Sequence, residues 1–251
     1  MERPLKLHLG CGEKYLEGYV NIDFPEGEHT VMKPKVDLTA DIRTLSYPEN
    51  SVDEIRTHHM FEHFTRAEAL KLLARWRSWL NPSGLLVIET PDFATSSRLY
   101  LSATSFKRRA QLSRHIIGSQ EADWAIHKDL WDKPKFSFVL KKMGFKNLKF
   151  RLFHNGLAKH AENLPKIGKY LQYVPEKLRD PILNIVGDLL PESFYQKYGS
   201  NKMPNILITC CKNDQIIINA QEIAKEIFSS SLMGKEDSRL LNVWLQEYDK
   251  F

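Results

Sequence analysis

The stretch from Leu5 to Asp23, LKLHLGCGEKYLEGYVNID, constrains this chain more than any other. Leu5, Leu7 and Leu9 alternate with Lys6 and His8, the period of a short strand. The strand runs directly into Gly10-Cys11-Gly12, a turn whose missing β-carbons allow positive φ and close backbone approach to a ligand. A second apolar run, Tyr19 to Ile22, ends in Asp23. Strand, glycine turn, strand and terminal carboxylate together describe a nucleoside site, with the acid on the ribose hydroxyls. By itself the stretch also fits a tight turn between two strands with a solvated acid.

The following segments narrow that choice. After the polar loop FPEGEHTVMKPK, Val36-Asp37-Leu38 reads as a short strand, followed by Ala40-Asp41-Ile42. Val52 to Thr57 reads as a strand that delivers His58-His59-Met60-Phe61-Glu62-His63 at its carboxyl end, where open α/β sheets bind ligands. Thr65 and Glu68 form a capping-box pattern that opens a helix with Ala69, Leu72, Leu73, Trp76 and Leu80 on one face and Lys71, Arg75 and Arg77 outward. Asn81-Pro82-Ser83-Gly84 is expected to stop that helix, and Leu85 to Glu89 to form a buried strand.

The order LHLGCG, NID, ADIRTLSYPENSVDEIRTHHMFEH and LNPSGLLVIETPD resembles the class I S-adenosylmethionine-dependent methyltransferases. It is most similar to a small bacterial branch that includes enzymes of polysaccharide clusters, in which the glycine turn reaches the second strand with almost no helix between. The resemblance covers residues 5–153 and returns at 205–211. It implies an α/β, Rossmann-like, doubly wound and mostly parallel seven-stranded sheet whose last strand is antiparallel, with a helical insertion and a C-terminal helical tail. The expected division is a methyltransferase domain at 1–215, carrying the insertion at 154–204, and a tail at 216–251.

The resemblance implies S-adenosylmethionine as cofactor, held by Gly10, Cys11, Gly12, Asp23, Asp41, Ile42 and His58. In the family an acid followed by an apolar residue holds the adenine, which Asp41 and Ile42 match; read without the family, Asp41 starts a turn. Two features depart from the family pattern. His8 stands where an acid usually precedes the glycine turn, and the segment between the turn and Asp23 leaves little room for a helix. Cys11 reads as the small residue between two glycines and not as a nucleophile.

Methyl transfer to a hydroxyl needs a base, and histidine titrates near neutrality. The candidates are His58, His59, His63 and His127, with His59 and His127 favoured and His58 next; for each, a structural or surface role is the plain alternative. His59 to His63 also spells H-x-x-E-H, an inverted zinc-peptidase motif, but it straddles a strand end and lacks an obvious third ligand. No metal is expected. Some members of the resembled family hold a divalent ion through an acid and a Glu-His pair at this position, which makes His59, Glu62 and His63 the alternative set.

Further on, residues 94–121 are polar and basic and read as helical with a break at Gly118, ordinarily a solvated face. Lys135 to Met143 reads as a helix, and Phe145 to Phe153 as a strand paired with Ile206 to Cys211. The proline-cut segment 154–204 then falls between neighbouring strands. Together with 94–131 it is the expected acceptor site, offering Trp124, Trp131, Tyr170, Tyr173, Phe194, Tyr195 and Tyr198 as flat faces for a sugar or aromatic ring. The alternatives are a cap over core, or a surface that docks on a membrane or a partner chain.

The expected activity is O-methylation of a sugar, glycan or other small-molecule hydroxyl. N-methylation of a small amine, and a binding or scaffold module without turnover, are the alternatives. The net charge of +5 and the lack of a dense basic stripe argue against nucleic acid. Three cysteines form no disulfide framework, and no apolar run spans a bilayer, so a cytoplasmic protein is expected. The oligomeric state is left open.

Overall fold

A computed structural model describes residues 4–25, 32–154, 175, 178, 203–234 and 237–250. Seven strands, β1 (Lys6–Leu9), β2 (Val20–Asp23), β3 (Leu38–Thr39), β4 (Val52–His58), β5 (Leu80–Pro91), β6 (Phe145–His154) and β7 (Pro204–Lys212), form one sheet in the order β3-β2-β1-β4-β5-β7-β6. β7 runs antiparallel to both β5 and β6, and the other pairs are parallel. This is the doubly wound sheet, antiparallel at its last strand, that the sequence implies. Chain order reverses between β1 and β4, so a crevice opens above their carboxyl ends.

Six helices accompany the sheet among the described residues: α1 (Arg66–Trp79), α2 (Phe93–Ser102), α3 (Phe106–Ile117), α4 (Lys133–Lys142), α5 (Ala220–Ser229) and α6 (Asp237–Lys250). Leu7 lies beside Ile55, and Ile55 beside Leu86, so one face of the central strands is continuous hydrocarbon. α1 adds buried Leu72, Leu73 and Trp76 to that core. Its start is the capping box read from sequence: the Thr65 hydroxyl accepts from the Glu68 N–H, and the Thr65 N–H donates to Glu68 Oε2 at 2.8 Å.

Three local expectations are corrected. Residues Asn81 to Gly84 lie within β5 as a bulge, because Val52 pairs with Leu80 and Glu54 already with Leu85, with Ser83 in the left-handed region at φ 61°. β3 begins at Leu38, since the Asp37 carboxylate accepts from both the backbone and side-chain nitrogens of Asn21 and thereby substitutes for strand pairing. Trp131 is only 2% exposed and packs on Phe61 and Phe136, so it belongs to the core and not to an acceptor surface.

His154 pairs with Pro204, which brings together the two ends of the expected insertion. The insertion itself, with Tyr170, Tyr173, Phe194, Tyr195 and Tyr198, lies outside the described residues apart from Pro175 and Leu178. Among the described residues no helix is long and apolar enough to cross a membrane.

α5 and α6 close over α1. Ala224, Phe228 and Tyr248 are buried in the main core; Lys71, expected outward, lies over the Tyr248 ring, and Arg66 lies over Trp244 at 4.4 Å. Arg77 donates to the carbonyls of Asn213 and Ile216 ahead of α5. Phe228→Ala is therefore expected to cost about 3–5 kcal/mol, as a core truncation does, measured by urea denaturation. A loss near zero would mean that these helices dock without sharing the core.

Candidate active site

Gly10 and Cys11 both donate their N–H to the Ile22 carbonyl, which pins the glycine turn against the end of β2. Gly10 has φ +65°, and a β-carbon there would lie 2.4 Å from Met60 Cγ, so no other residue fits. The Gly12 N–H then donates to Asp23 Oδ2 at 2.6 Å, and the Phe24 N–H to Oδ1 at 2.7 Å. The carboxylate is thus fixed at the strand end and lines a cleft of about 470 Å³. Burial pushes the Cys11 thiol up to about 12, and its Sγ donates to the Lys35 carbonyl. It is a neutral small side chain and no nucleophile.

Asp41 and Ile42 line the same cleft. Asp41 caps a short 3-10 turn through the Arg43 N–H, and the Arg43 guanidinium grips its carboxylate at 2.7–3.0 Å. Arg43 also reaches Glu68 at 3.4 Å. Asp41 is therefore both a turn former and a cleft residue, the two roles that its sequence position allowed.

The carboxyl ends of β4 and β5 bring His58, His59 and Glu89 together. His58 Nδ1 lies 2.8 Å from Glu89 Oε2. His59 has φ +51°, a strained value for a residue with a side chain. That backbone turns its ring between two acids: Nδ1 lies 3.3 Å from Glu62 Oε1, and Nε2 lies 3.3 Å from Glu89 Oε1. The Asn205 amide sits 3.1 Å from the same Nε2. Burial alone would lower the His59 pKa, but the Glu62 and Glu89 carboxylates on either side of the ring override it and push it up to about 10. The two imidazoles in turn hold Glu89 well below the usual carboxylate range against the opposing effect of burial. The shift of His59 favours its protonated ring and argues against His59 as the base.

His127 reaches the site by a route that the sequence did not show. α3 ends at Gly118, whose bridge with Ile126 folds the following segment back. The His127 N–H then donates to Ile117 O, and Lys128 N–H to Glu62 O at 2.9 Å. The His127 ring lies against Glu62, Nε2 to Oε1 3.9 Å, and against His63, with ring centroids 4.8 Å apart. Burial, foremost, lowers the His127 pKa, which favours the neutral ring. It lines a second, tight cavity of about 10 Å³, whereas His63, Trp124 and Lys128 line the main cleft.

The H-x-x-E-H motif does not lie on one helix face. His59 sits on the strand end, and Phe61–His63 is a three-residue 3-10 turn. The donor atoms of Glu62, His63 and His127, in contrast, all lie within 4.8 Å of one another. Sequence reasoning missed Glu89 as the second acid on His59, although its place at a strand end, like that of Asp23, was a usable signal.

Residues 7–88 match the family model described as a methyltransferase domain. The matched segment contains Gly10, Gly12, Asp23, Asp41 and the histidine run, and it supports a methyltransferase enzyme. The chain is similar to a SAM-dependent methyltransferase from Archaeoglobus fulgidus, at 20% identity and TM-score 0.46 over 83% of this chain and 86% of that one. It is also similar to a SAM-dependent methyltransferase from Mesorhizobium loti, at 14% identity and TM-score 0.46 over 84% of this chain and 91% of that one. A third likeness is to phosphoethanolamine N-methyltransferase 2 of Haemonchus contortus in complex with S-adenosyl-L-methionine, at 14% identity and TM-score 0.45 over 85% of this chain and 50% of that one. These are likenesses of fold alone. A search of curated protein sequences finds no match.

The His59 contribution to stability is complete below pH 6.5 and is lost as pH rises through about 10. The contributions of Glu62 and Glu89 are complete above pH 4.5 and are lost in acid, because their folded values are lowered. In a histidine-resolved NMR titration of the free protein, His59 is expected to stay protonated past pH 8. A midpoint near 6.5 would contradict the assignment of its charge.

Proposed function

We propose that the cleft binds S-adenosylmethionine and directs its methyl group to a hydroxyl of a small molecule or glycan. The observation that carries this reading is the joint geometry of Gly10, Gly12 and Asp23: a turn that a β-carbon would fill, leading to a fixed carboxylate. In this reading the glycine turn faces the methionine tail, Asp23 accepts from the ribose hydroxyls, and Ile42 packs on the adenine beside Asp41. When bound, the cofactor supplies a methyl group already activated on sulfur, which passes in line to the acceptor oxygen. The residues of the chain hold the two reactants in line and exclude water.

The acceptor takes the other end of the cleft, where Trp124 offers a flat face suited to a sugar ring and His63 and Lys128 offer polar contacts. His63 Nδ1 lies 3.2 Å from the Ile126 carbonyl and must donate to it, which leaves Nε2 with its lone pair. The acceptor's proton is therefore assigned to the cluster of His63, His127 and Glu62. His59, held between Glu62 and Glu89, sets the local charge, and His58 orients Glu89. A sugar-bearing acceptor fits the polysaccharide-cluster branch that the sequence resembles, and segment 154–204 is proposed to complete that site.

Asp23→Ala is expected to weaken S-adenosylmethionine binding about 10- to 150-fold in isothermal titration, from lost hydrogen bonds of about 1.5–3 kcal/mol. Unchanged affinity in a folded variant would overturn the cofactor site. A labelled-methyl assay over a panel of acceptors tests the rest. Sugar hydroxyls are expected to be labelled, and labelling of amines alone would overturn the O-methylation reading.

A further inference from the structure

The cluster at the end of the cleft has a property that proton transfer does not require. Glu62 is 2% exposed, and neither of its carboxylate oxygens accepts an aligned hydrogen bond from the protein; His59 reaches Oε1 only as an ion pair at 3.3 Å. His59 meets only Oε1, while Oε2 is buried without a partner, and a further cation beside it offsets that cost.

The two rings facing Glu62 are oriented alike. His63 Nδ1 is 3.2 Å from the Ile126 carbonyl, and His127 Nδ1 is 3.1 Å from the Ile116 carbonyl. A carbonyl only accepts, so each Nδ1 carries the hydrogen and each Nε2 presents a lone pair. Anchoring one ring nitrogen on a backbone carbonyl fixes the tautomer and aims the other nitrogen, as metal-ligating histidines do.

We propose that Glu62, His63 and His127 form a binding site for a divalent transition-metal ion. Two imidazoles and one carboxylate favour zinc, cobalt or manganese over calcium or magnesium, which prefer oxygen alone. Their donor atoms lie within 4.8 Å of one another, and ligand bonds of about 2.1 Å would need about an ångström of side-chain closure. Glu62 and His127 line the tight cavity of about 10 Å³, and His63 lines the main cleft beside them.

Three protein ligands leave a coordination position unfilled, and His63 lies on the main cleft, so that position faces the proposed acceptor. His59 is excluded as a ligand because its two nitrogens are spent on Glu62 and Glu89. The set His59, Glu62 and His63 suggested by sequence is thus replaced by one that His127 completes. The ion would take the lone pairs that the proposed function gives to the acceptor's proton, so the ion-loaded and proton-accepting clusters are alternative states of one site. Ion binding does not depend on methyl transfer.

The full chain, stripped with a chelator, is titrated with cobalt(II) and followed by visible absorption, with thermal unfolding as a check on folding. The wild type is expected to take up one ion per chain with a tetrahedral or five-coordinate spectrum that zinc(II) abolishes. Glu62→Gln and His127→Ala are expected to weaken uptake at least tenfold. Asp23→Ala is expected to bind the ion as the wild type does while losing S-adenosylmethionine, so failure of one site is distinguishable from failure of the other. Absence of a cobalt spectrum in the wild type, or uptake unaltered in folded Glu62→Gln and His127→Ala, would overturn the proposal.

Discussion

The hydrogen bond from the Gly12 N–H to the Asp23 carboxylate couples the two halves of the stretch on which the site is built. It links the turn after β1 to the last residue of β2, and its 2.6 Å length leaves little freedom in either. Gly10 makes it possible. Only a residue without a β-carbon can pass Met60 at that point and keep φ positive, and the turn then closes on the Ile22 carbonyl. The parallel register of β1 with β2 and β4 sets the glycine turn, Asp23 and His58 along one rim. A ligand entering the crevice meets backbone, acid and imidazole together.

Charge arranges the far side of that rim. His59 is held in a strained backbone conformation, and the compensation is visible in the two acids around its ring. One acid lies near the end of β5 and the other follows β4, so the imidazole ties the two strand ends together. Glu62 then faces two ways, toward His59 and toward the rings of His63 and His127. The result is a graded site: a backbone cradle at one end, a fixed positive charge in the middle, and a set of lone pairs at the other end.

Much of this was legible from residues. The alternation Leu5 to Leu9, the glycine turn, the carboxylate closing VNID and the Thr65–Glu68 box are local signals, and local chemistry decides them. What the sequence hid is what depends on distant segments meeting. The charge of His59 requires Glu89, thirty residues downstream at the end of an apolar run that otherwise reads only as core. The approach of His127 to Glu62 depends on Gly118 turning the chain after α3 and on backbone bonds from Lys128 and Asp129 to Glu62. Trp131 carries no local mark that separates it from Trp124, yet one is core and the other lines the cleft. Lys71 reads as outward until α6 supplies the Tyr248 ring that covers it.

The rim between Gly10 and Asp23 is the proposed binding place of S-adenosylmethionine. A crystal structure of the chain with S-adenosylhomocysteine tests it most directly. The account predicts the ribose hydroxyls on the Asp23 carboxylate, the amino-acid tail along Gly10 to Gly12, and the sulfur turned toward His59 and His63. A ligand bound elsewhere on the sheet, or one whose ribose meets no carboxylate at the end of β2, would contradict it.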